Sequence, residues 1–503
     1  MNEAFLWGVA TSGYQSEGGY NQPGQPHNNW AEWEQRGRVQ RTGGGPRFWA
    51  RYAEDFALAR GLGLNAFRLG IEWARVQPSF DTDTIPAPDW DESALDGYAQ
   101  RLAGCRAAGM EPIVTLHHFT HPAWLGIDAW LLPPTVDYFE AYVRHTVREI
   151  NRRLVERHGQ PPLRTFITLN EPNMLVLNSY FGHQFPAKAM SGSHAMLRAY
   201  NHLLAAHVRA YNAIHDLYEE AGWERPRVSL NTFCSDLYWN DKFIWDLLAS
   251  RELGIGFDQL GRFLLRGETQ LQRAVGNADL PFNRNLIWHL GNAVKFLAAR
   301  LGRRQVIPEN FETFLHELAR SKRARLFDFI GLDYYDPFFG HLFRLPTFHD
   351  LEFPSHGLRD WLMDGMSAKW WNWRCLPQGL PLFARFYSET LFNRPVLIAE
   401  NGMAMRRKFD NQIVSAREDG LTRSDFLRAH VREVMHAVKE GVPIIGYLHW
   451  SLTDNYEWGS FTPRFGLYSL DYAAEAERKD RDQHDDCPSA TYRELIRHAR
   501  GLG

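Results

Sequence analysis

Two glutamates stand at the ends of two apolar runs. Residues 165–173 read TFITLNEPN: Phe166, Ile167 and Leu169 are apolar, and β-branched Thr165, Ile167 and Thr168 favour a strand. Asn170-Glu171-Pro172 then ends it, because Asn turns readily and Pro has no N–H to donate. The carboxylate of Glu171 is left at the C-terminal mouth of that strand. Residues 395–402, PVLIAENG, repeat the design: a buried-strand run, then Glu400, then Asn401-Gly402 to turn the chain. A lone glutamate after a strand is usually a solvated loop residue. Two at the ends of separate strands supply an acid/base and a nucleophile, the pair that cleavage at an acetal carbon requires.

Eight strand-like runs recur along the chain, at 5–11, 66–73, 112–118, 165–170, 227–232, 327–334, 395–399 and 443–449. Helical patterns at 53–62, 95–108, 136–158 and 193–220 fall between them. Alternating β and α units with apolar strands imply parallel strands covered by helices. Eight units predict an α/β fold, a closed (β/α)8 TIM barrel whose site lies at the C-terminal strand ends. Polar or aromatic residues follow nearly every run: Gln15 and Glu17, Arg68 and Glu72, His118, Asn170 and Glu171, Asn231, Asp333 and Tyr335, Glu400, Trp450. Core packing does not explain such a ring. The 503 residues are about twice a minimal barrel of ~250, so the loops must be long. The expectation is one barrel domain over 1–503, with a large insertion at 236–325 that holds helical runs such as 285–301. A second long loop, 338–391, carries Trp361, Trp370, Trp371 and Trp373.

Composition is that of an ordinary globular protein, 44% hydrophobic and 23% charged. A net charge of −3 gives no long-range pull toward nucleic acid or an anionic membrane. No stretch reaches the ~20 apolar residues of a membrane span. Met1-Asn2-Glu3-Ala4 runs straight into FLWG with no basic and apolar leader, and Cys105, Cys234, Cys375 and Cys487 lack metal-like spacing. They read as free thiols in a reducing compartment, so a cytoplasmic location is expected. Gly43-Gly44-Gly45 lacks the lysine and following helix of a phosphate cradle. His117, His118 and His121 suggest a metal site at first sight, but adjacent strand residues face opposite sides and no carboxylate ligand set accompanies them. No metal and no cofactor is expected. The run Trp370-Trp371-Asn372-Trp373 reads equally as an aglycone-side platform or as packing.

Six stretches in order resemble glycoside hydrolase family 1, the retaining β-glucosidases and β-glycosidases. They are FLWGVATSGYQSEG (5–18), FRLGIEWARVQP (67–78), TLHHFTHPAWL (115–125), NEPN (170–173), ENG (400–402) and GYLHWSLTDNYEW (446–458). The resemblance implies that Glu171 is the general acid/base and Glu400 the nucleophile. It implies that Arg68 and Tyr335 hold the nucleophile. Gln15, His118 and Asn170 would bond the terminal sugar, Trp450 would floor it, and Glu457 and Trp458 would read its far hydroxyls. The implied activity is that of an exo-acting retaining β-glycosidase on small β-linked oligosaccharides or β-glycosides. β-Glucosidase activity with β-galactosidase and β-fucosidase breadth fits best. A 6-phospho-β-glycosidase needs a cationic pocket, and Glu457 stands where it would be. A non-catalytic sugar-binding barrel would have lost a carboxylate, and a thioglycosidase would dispense with Glu171. Two departures stand out. Asp333-Tyr334-Tyr335 replaces the family's usual Asn-Tyr-Tyr, and 236–325 looks unlike the usual segment. Asp333 is expected either to be neutral and donate, or to pair with Arg68, or to accept the N–H of a 2-acetamido sugar.

Overall fold

Eight parallel strands close on themselves in chain order. The computed structural model describes residues 4–80, 87–306, 308–348, 357–407 and 416–501. The first three residues of the chain start and part of the Trp-rich loop, 349–356, lie outside the described residues. We number the barrel strands β1 (Leu6–Ala10), β2 (Ala66–Gly70), β3 (Glu111–Thr115), β4 (Thr165–Asn170), β5 (Arg227–Phe233), β6 (Ile330–Asp333), β7 (Val396–Glu400) and β8 (Ile444–Trp450). β1 pairs with both β2 and β8, which closes the (β/α)8 barrel. Strands β2, β4 and β7 are buried at every position, because one face fills the barrel and the other meets the helices. Their near-continuous apolar and β-branched sequence follows from that double burial.

A side-chain cap starts two of the covering helices, Glu92–Ala107 and Arg423–Lys439. Asp91 accepts from the backbone N–H of Ala94 (2.9 Å) to start helix Glu92–Ala107. Helix Ser193–Glu220 runs 28 residues and packs on helix Pro134–His158. The sixth strand is shorter than its apolar run suggests. The chain bends at 328–329, where the Asp328 carboxylate accepts from the backbone N–H of Val228 (2.9 Å).

Two pairings lose regular register at their C-terminal ends. One lies between Ile167 and Asn170 on β4, the other between Leu332 and Asp333 on β6. Irregular pairing re-aims side chains, and here it does so at the barrel mouth. The connections from β5 and β6 leave that same mouth. The first holds helices Lys242–Ala249, Phe257–Asn277, Leu286–Gln305 and Glu312–Arg320, and the second holds helix Leu358–Met366.

Candidate active site

The mouth opens onto a pocket whose empty space, open solvent included, is about 310 Å³. Its walls come from the ends of seven strands, all but β2, and from the β6 and β8 loops. Gln15, His118, Glu171, Tyr335, Glu400, Trp450, Glu457 and Trp458 line it directly.

Arg68 lies on β2 and is fully buried. Its guanidinium donates to Glu400 Oε1 (2.7 Å), to Asn170 Oδ1 (2.5 Å) and to Thr115 Oγ1 (2.9 Å). A planar five-donor group suits three acceptors fixed on three strands. Tyr335 donates to the other oxygen of Glu400 (2.9 Å). Burial raises the Glu400 carboxyl, and Arg68 and Tyr335 offset only part of that rise.

Glu171 sits in the left-handed region, φ +39°, between β4 and the helix that opens at Pro172. This backbone is strained for a residue with a Cβ, and it aims the carboxylate across the mouth. The Glu171 N–H donates to the carbonyl of Asn231 (2.9 Å), and Oε1 has no protein partner. Burial, then the charges of Asp333 and Glu400, hold its carboxyl well above the usual carboxylate range. Glu171, Asp333 and Glu400 each bring one oxygen to within 4.8 Å of the others.

Asp333 is wholly buried at the end of β6. Asn231 donates one amide proton to Asp333 and to Asn170 Oδ1 (2.7 Å), so it bridges β4, β5 and β6. The Asp333 carboxyl is raised by burial first and by Glu400 second. Arg68 spends its donors on Glu400, Asn170 and Thr115 rather than on Asp333. The expected pairing is not made: no hydrogen bond joins Asp333 to Arg68, although the guanidinium's charge offsets part of the rise.

His118 stacks on Trp450 (5.5 Å, 18°), and Asn170 reaches its Nε2 (3.3 Å). Burial and the nearby Arg68 keep its imidazole neutral. His117 faces away and accepts from the Trp130 indole (3.3 Å), while His121 meets the Gly126 carbonyl, so the three histidines do not converge. Gln15 donates to Asn455 (3.2 Å) and accepts from Ser12 (2.9 Å). Trp450 donates its indole N–H to Glu457 (2.6 Å), and burial pushes the Glu457 carboxyl up to about 8. The lining holds no Lys or Arg among the described residues.

Two members of the ring turn away from the pocket. Glu17 accepts from Arg75, Tyr20 and Tyr98, and Glu72 accepts from Thr120. Phe119, Phe233, Phe465, Trp370 and Trp373 complete the walls. Within the Trp run, Trp371 lies instead under the Arg406 guanidinium (4.9 Å). Asn231 received no individual role from the sequence, although its place at the end of β5 marked it as part of the ring.

The description "Glycosyl hydrolase family 1" fits residues 1–235 and 294–499. The chain belongs to this family. As a family 1 member it is a glycoside hydrolase. The family pattern passes over 236–293, inside the long β5 connection. Beta-glucosidase A of Thermotoga maritima is 28% identical over 493 residues, covering 94% of each chain. The 6-phospho-beta-galactosidase 1 of Streptococcus pneumoniae is 26% identical over 495 residues, covering 94% of this chain and 95% of that one. A solved beta-glucosidase from Thermotoga maritima, in complex with galacto-hydroximolactam, shares the fold with a TM-score of 0.66 at 23% identity over 99% of both chains. No helix among the described residues is long and apolar enough to cross a membrane.

Proposed function

We propose that this family 1 hydrolase is an exo-acting retaining β-glycosidase, a β-glucosidase with β-galactosidase and β-fucosidase breadth. The carrying observation is that Glu171 and Glu400 each bring an oxygen to within 4.8 Å of the other, and that Arg68 and Tyr335 bond Glu400 while Glu171 Oε1 has no protein partner. Retaining enzymes hold their carboxyl groups about 5–5.5 Å apart, whereas inverting ones leave ~6.5–9.5 Å for a water. Arg68 and Tyr335 stabilise an anionic Glu400 and free it to attack C1. Glu171 keeps its proton and gives it to the glycosidic oxygen as the C1–O bond breaks. The aglycone leaves as an alcohol, and the sugar remains as an ester of Glu400. Glu171, now ionised, takes a proton from water. The water oxygen bonds C1 from the face the aglycone left, and Glu400 departs as carboxylate. Two inversions return the β-anomer. A pocket that gathers Glu171, Glu400, Trp450 and Glu457 at one barrel mouth supports exo-action on one terminal sugar. Gln15, His118, Asn170 and Glu457 are assigned its hydroxyls, Trp450 its floor, and Trp458 its far edge.

A second reading concerns C2. Asp333 Oδ1 is buried without a protein partner, so it is an acceptor free to take the N–H of a 2-acetamido group. Tolerance of N-acetylglucosaminides follows from that acceptor. The lining without a cation disfavours 6-phosphates, although relatives named for them are as similar as the glucosidases. The test is a panel of aryl β-glycosides: glucoside, galactoside, fucoside, N-acetylglucosaminide and the 6-phosphates, with early NMR spectra of the product. We expect the glucoside or galactoside to lead, the 6-phosphates to lag at least about tenfold, and β-product first. α-Product first would overturn the mechanism.

A further inference from the structure

Helix Leu286–Gln305 is built inside out. Gly291 and Ala299 are its buried positions, and Lys295 points inward to Asp236 (2.6 Å). A Cβ at Gly291 would meet the Gly340 carbonyl oxygen at 2.6 Å, so this face sits directly on the β6 connection. Leu286, Leu290, Val294, Leu297 and Leu301 recur at spacings of four, four, three and four, and are 41–72% exposed. At 100° per residue they form one narrow outward stripe. A covering helix of a barrel carries the opposite arrangement, with large apolar side chains turned to the strands.

The charge around this stripe differs from the rest of the molecule. Residues 257–305 hold eight Lys and Arg against three Asp and Glu, an excess of five positive charges. The whole chain is net −3, so the remainder carries −8. Arg300 and Arg304 are exposed on the same helix as the stripe, within one turn of Leu297 or Leu301. Helices that lie on membranes combine an apolar stripe with flanking Lys and Arg. The β6 connection that holds Gly340 also carries Trp370 and Trp373, which line the active site.

We propose that this face docks the enzyme on an anionic bilayer surface, with the leucine stripe in the interface and Arg300 and Arg304 on the lipid phosphates. A second copy of the chain is the other occupant, and the experiment below separates the two. The proposal does not depend on which β-glycoside the pocket takes.

The experiment is co-sedimentation of the full chain with vesicles of phosphatidylcholine alone and of phosphatidylcholine mixed with phosphatidylglycerol. Binding should appear only with the anionic vesicles and be reversed by salt, because surface charge is screened within a Debye length. The double variant Leu290→Glu, Leu297→Glu should bind at least about tenfold more weakly. Arg300→Ala and Arg304→Ala should each cost about fivefold. These arginines are exposed, so their variants report even if the leucine variant misfolds. Hydrolysis of a soluble aryl glycoside should be unchanged in all of them. Wild type that ignores anionic vesicles, or variants that bind as wild type does, would overturn the proposal. So would concentration-dependent dimers that only the leucine variant abolishes, with no vesicle binding.

Discussion

At the barrel mouth, large polar side chains point inward and bond one another. On helix Leu286–Gln305, a row of large apolar side chains points out, while Gly291 and Ala299 are its buried positions. The mouth is built on strand ends, and its key groups hold one another through Arg68, Asn231 and Tyr335. The family pattern passes over much of the β5 connection, whose first helix, Lys242–Ala249, is buried while Leu286–Gln305 exposes its apolar row. The difference separates two tasks. Rigid strand ends fix the reaction, because a carboxylate displaced by an ångström no longer reaches C1. Loop helices meet the surroundings and can change without disturbing the chemistry.

That division predicts a graded series of effects. Glu400→Ala should abolish turnover, by on the order of 10⁴–10⁶-fold. Azide or formate should restore part of it with an inverted product, since a small anion then attacks from the vacated side. Glu171→Ala should cost roughly 10²–10⁴-fold on poor leaving groups, the range of general acid catalysis. Activated aryl substrates should keep a fast first step and show slow release of the sugar.

Asp333→Asn should act less on rate than on pH. The Asp333 charge helps to hold the Glu171 carboxyl up. Its loss lets Glu171 ionise at lower pH, so the alkaline limb of kcat/KM should move down. An unmoved limb would detach Asp333 from the acid. The ratio of N-acetylglucosaminide to glucoside kcat/KM should fall too, if Asp333 takes the amide N–H.

The same variant should melt higher. Burial raises the Asp333 carboxyl. Ionising Asp333 therefore costs the folded state more than the unfolded state above the ordinary Asp value. Wild-type stability falls as pH rises through that window, and Asn is exempt from the fall. A gain of about 1–2 kcal/mol at neutral pH is expected. A lower Tm for the variant at neutral pH would contradict this. The smallest effect belongs to the other region. Leu290→Glu with Leu297→Glu should leave kcat/KM on a soluble aryl glycoside within about twofold. A large loss there would break the division between mouth and loop.

Much of this was legible in the chain because strand ends announce themselves. An apolar β-branched run followed by Asn-Glu-Pro or Glu-Asn-Gly says both that a strand stops and which side chain stands at the stop. Position along a strand does not say which way a side chain turns after it. Glu17 and Glu72 follow their strands as closely as Gln15 and Arg68 do, yet tyrosines, Arg75 and Thr120 draw them away from the pocket. Asn231 became important only when β4 and β6 brought Asn170 and Asp333 to its two sides. Three indoles in a row gave no sign that Trp370 and Trp373 would enter the pocket while Trp371 met Arg406. Net charge hid the basic segment, because averaging over the chain cancels what is separated in space.

The central claim is that Glu400 forms a covalent bond to the sugar while Glu171 handles the proton. The most direct measurement incubates the enzyme with an activated 2-deoxy-2-fluoro-β-glucoside, which slows release of the glycosyl-enzyme more than its formation. Intact mass followed by peptide mapping then locates the label. The account predicts one fluoroglycosyl group per chain, on Glu400, and none on the Glu400→Ala variant. A label on Glu171 or Asp333, or turnover of the ordinary substrate with no covalent species and an α-product, would contradict it.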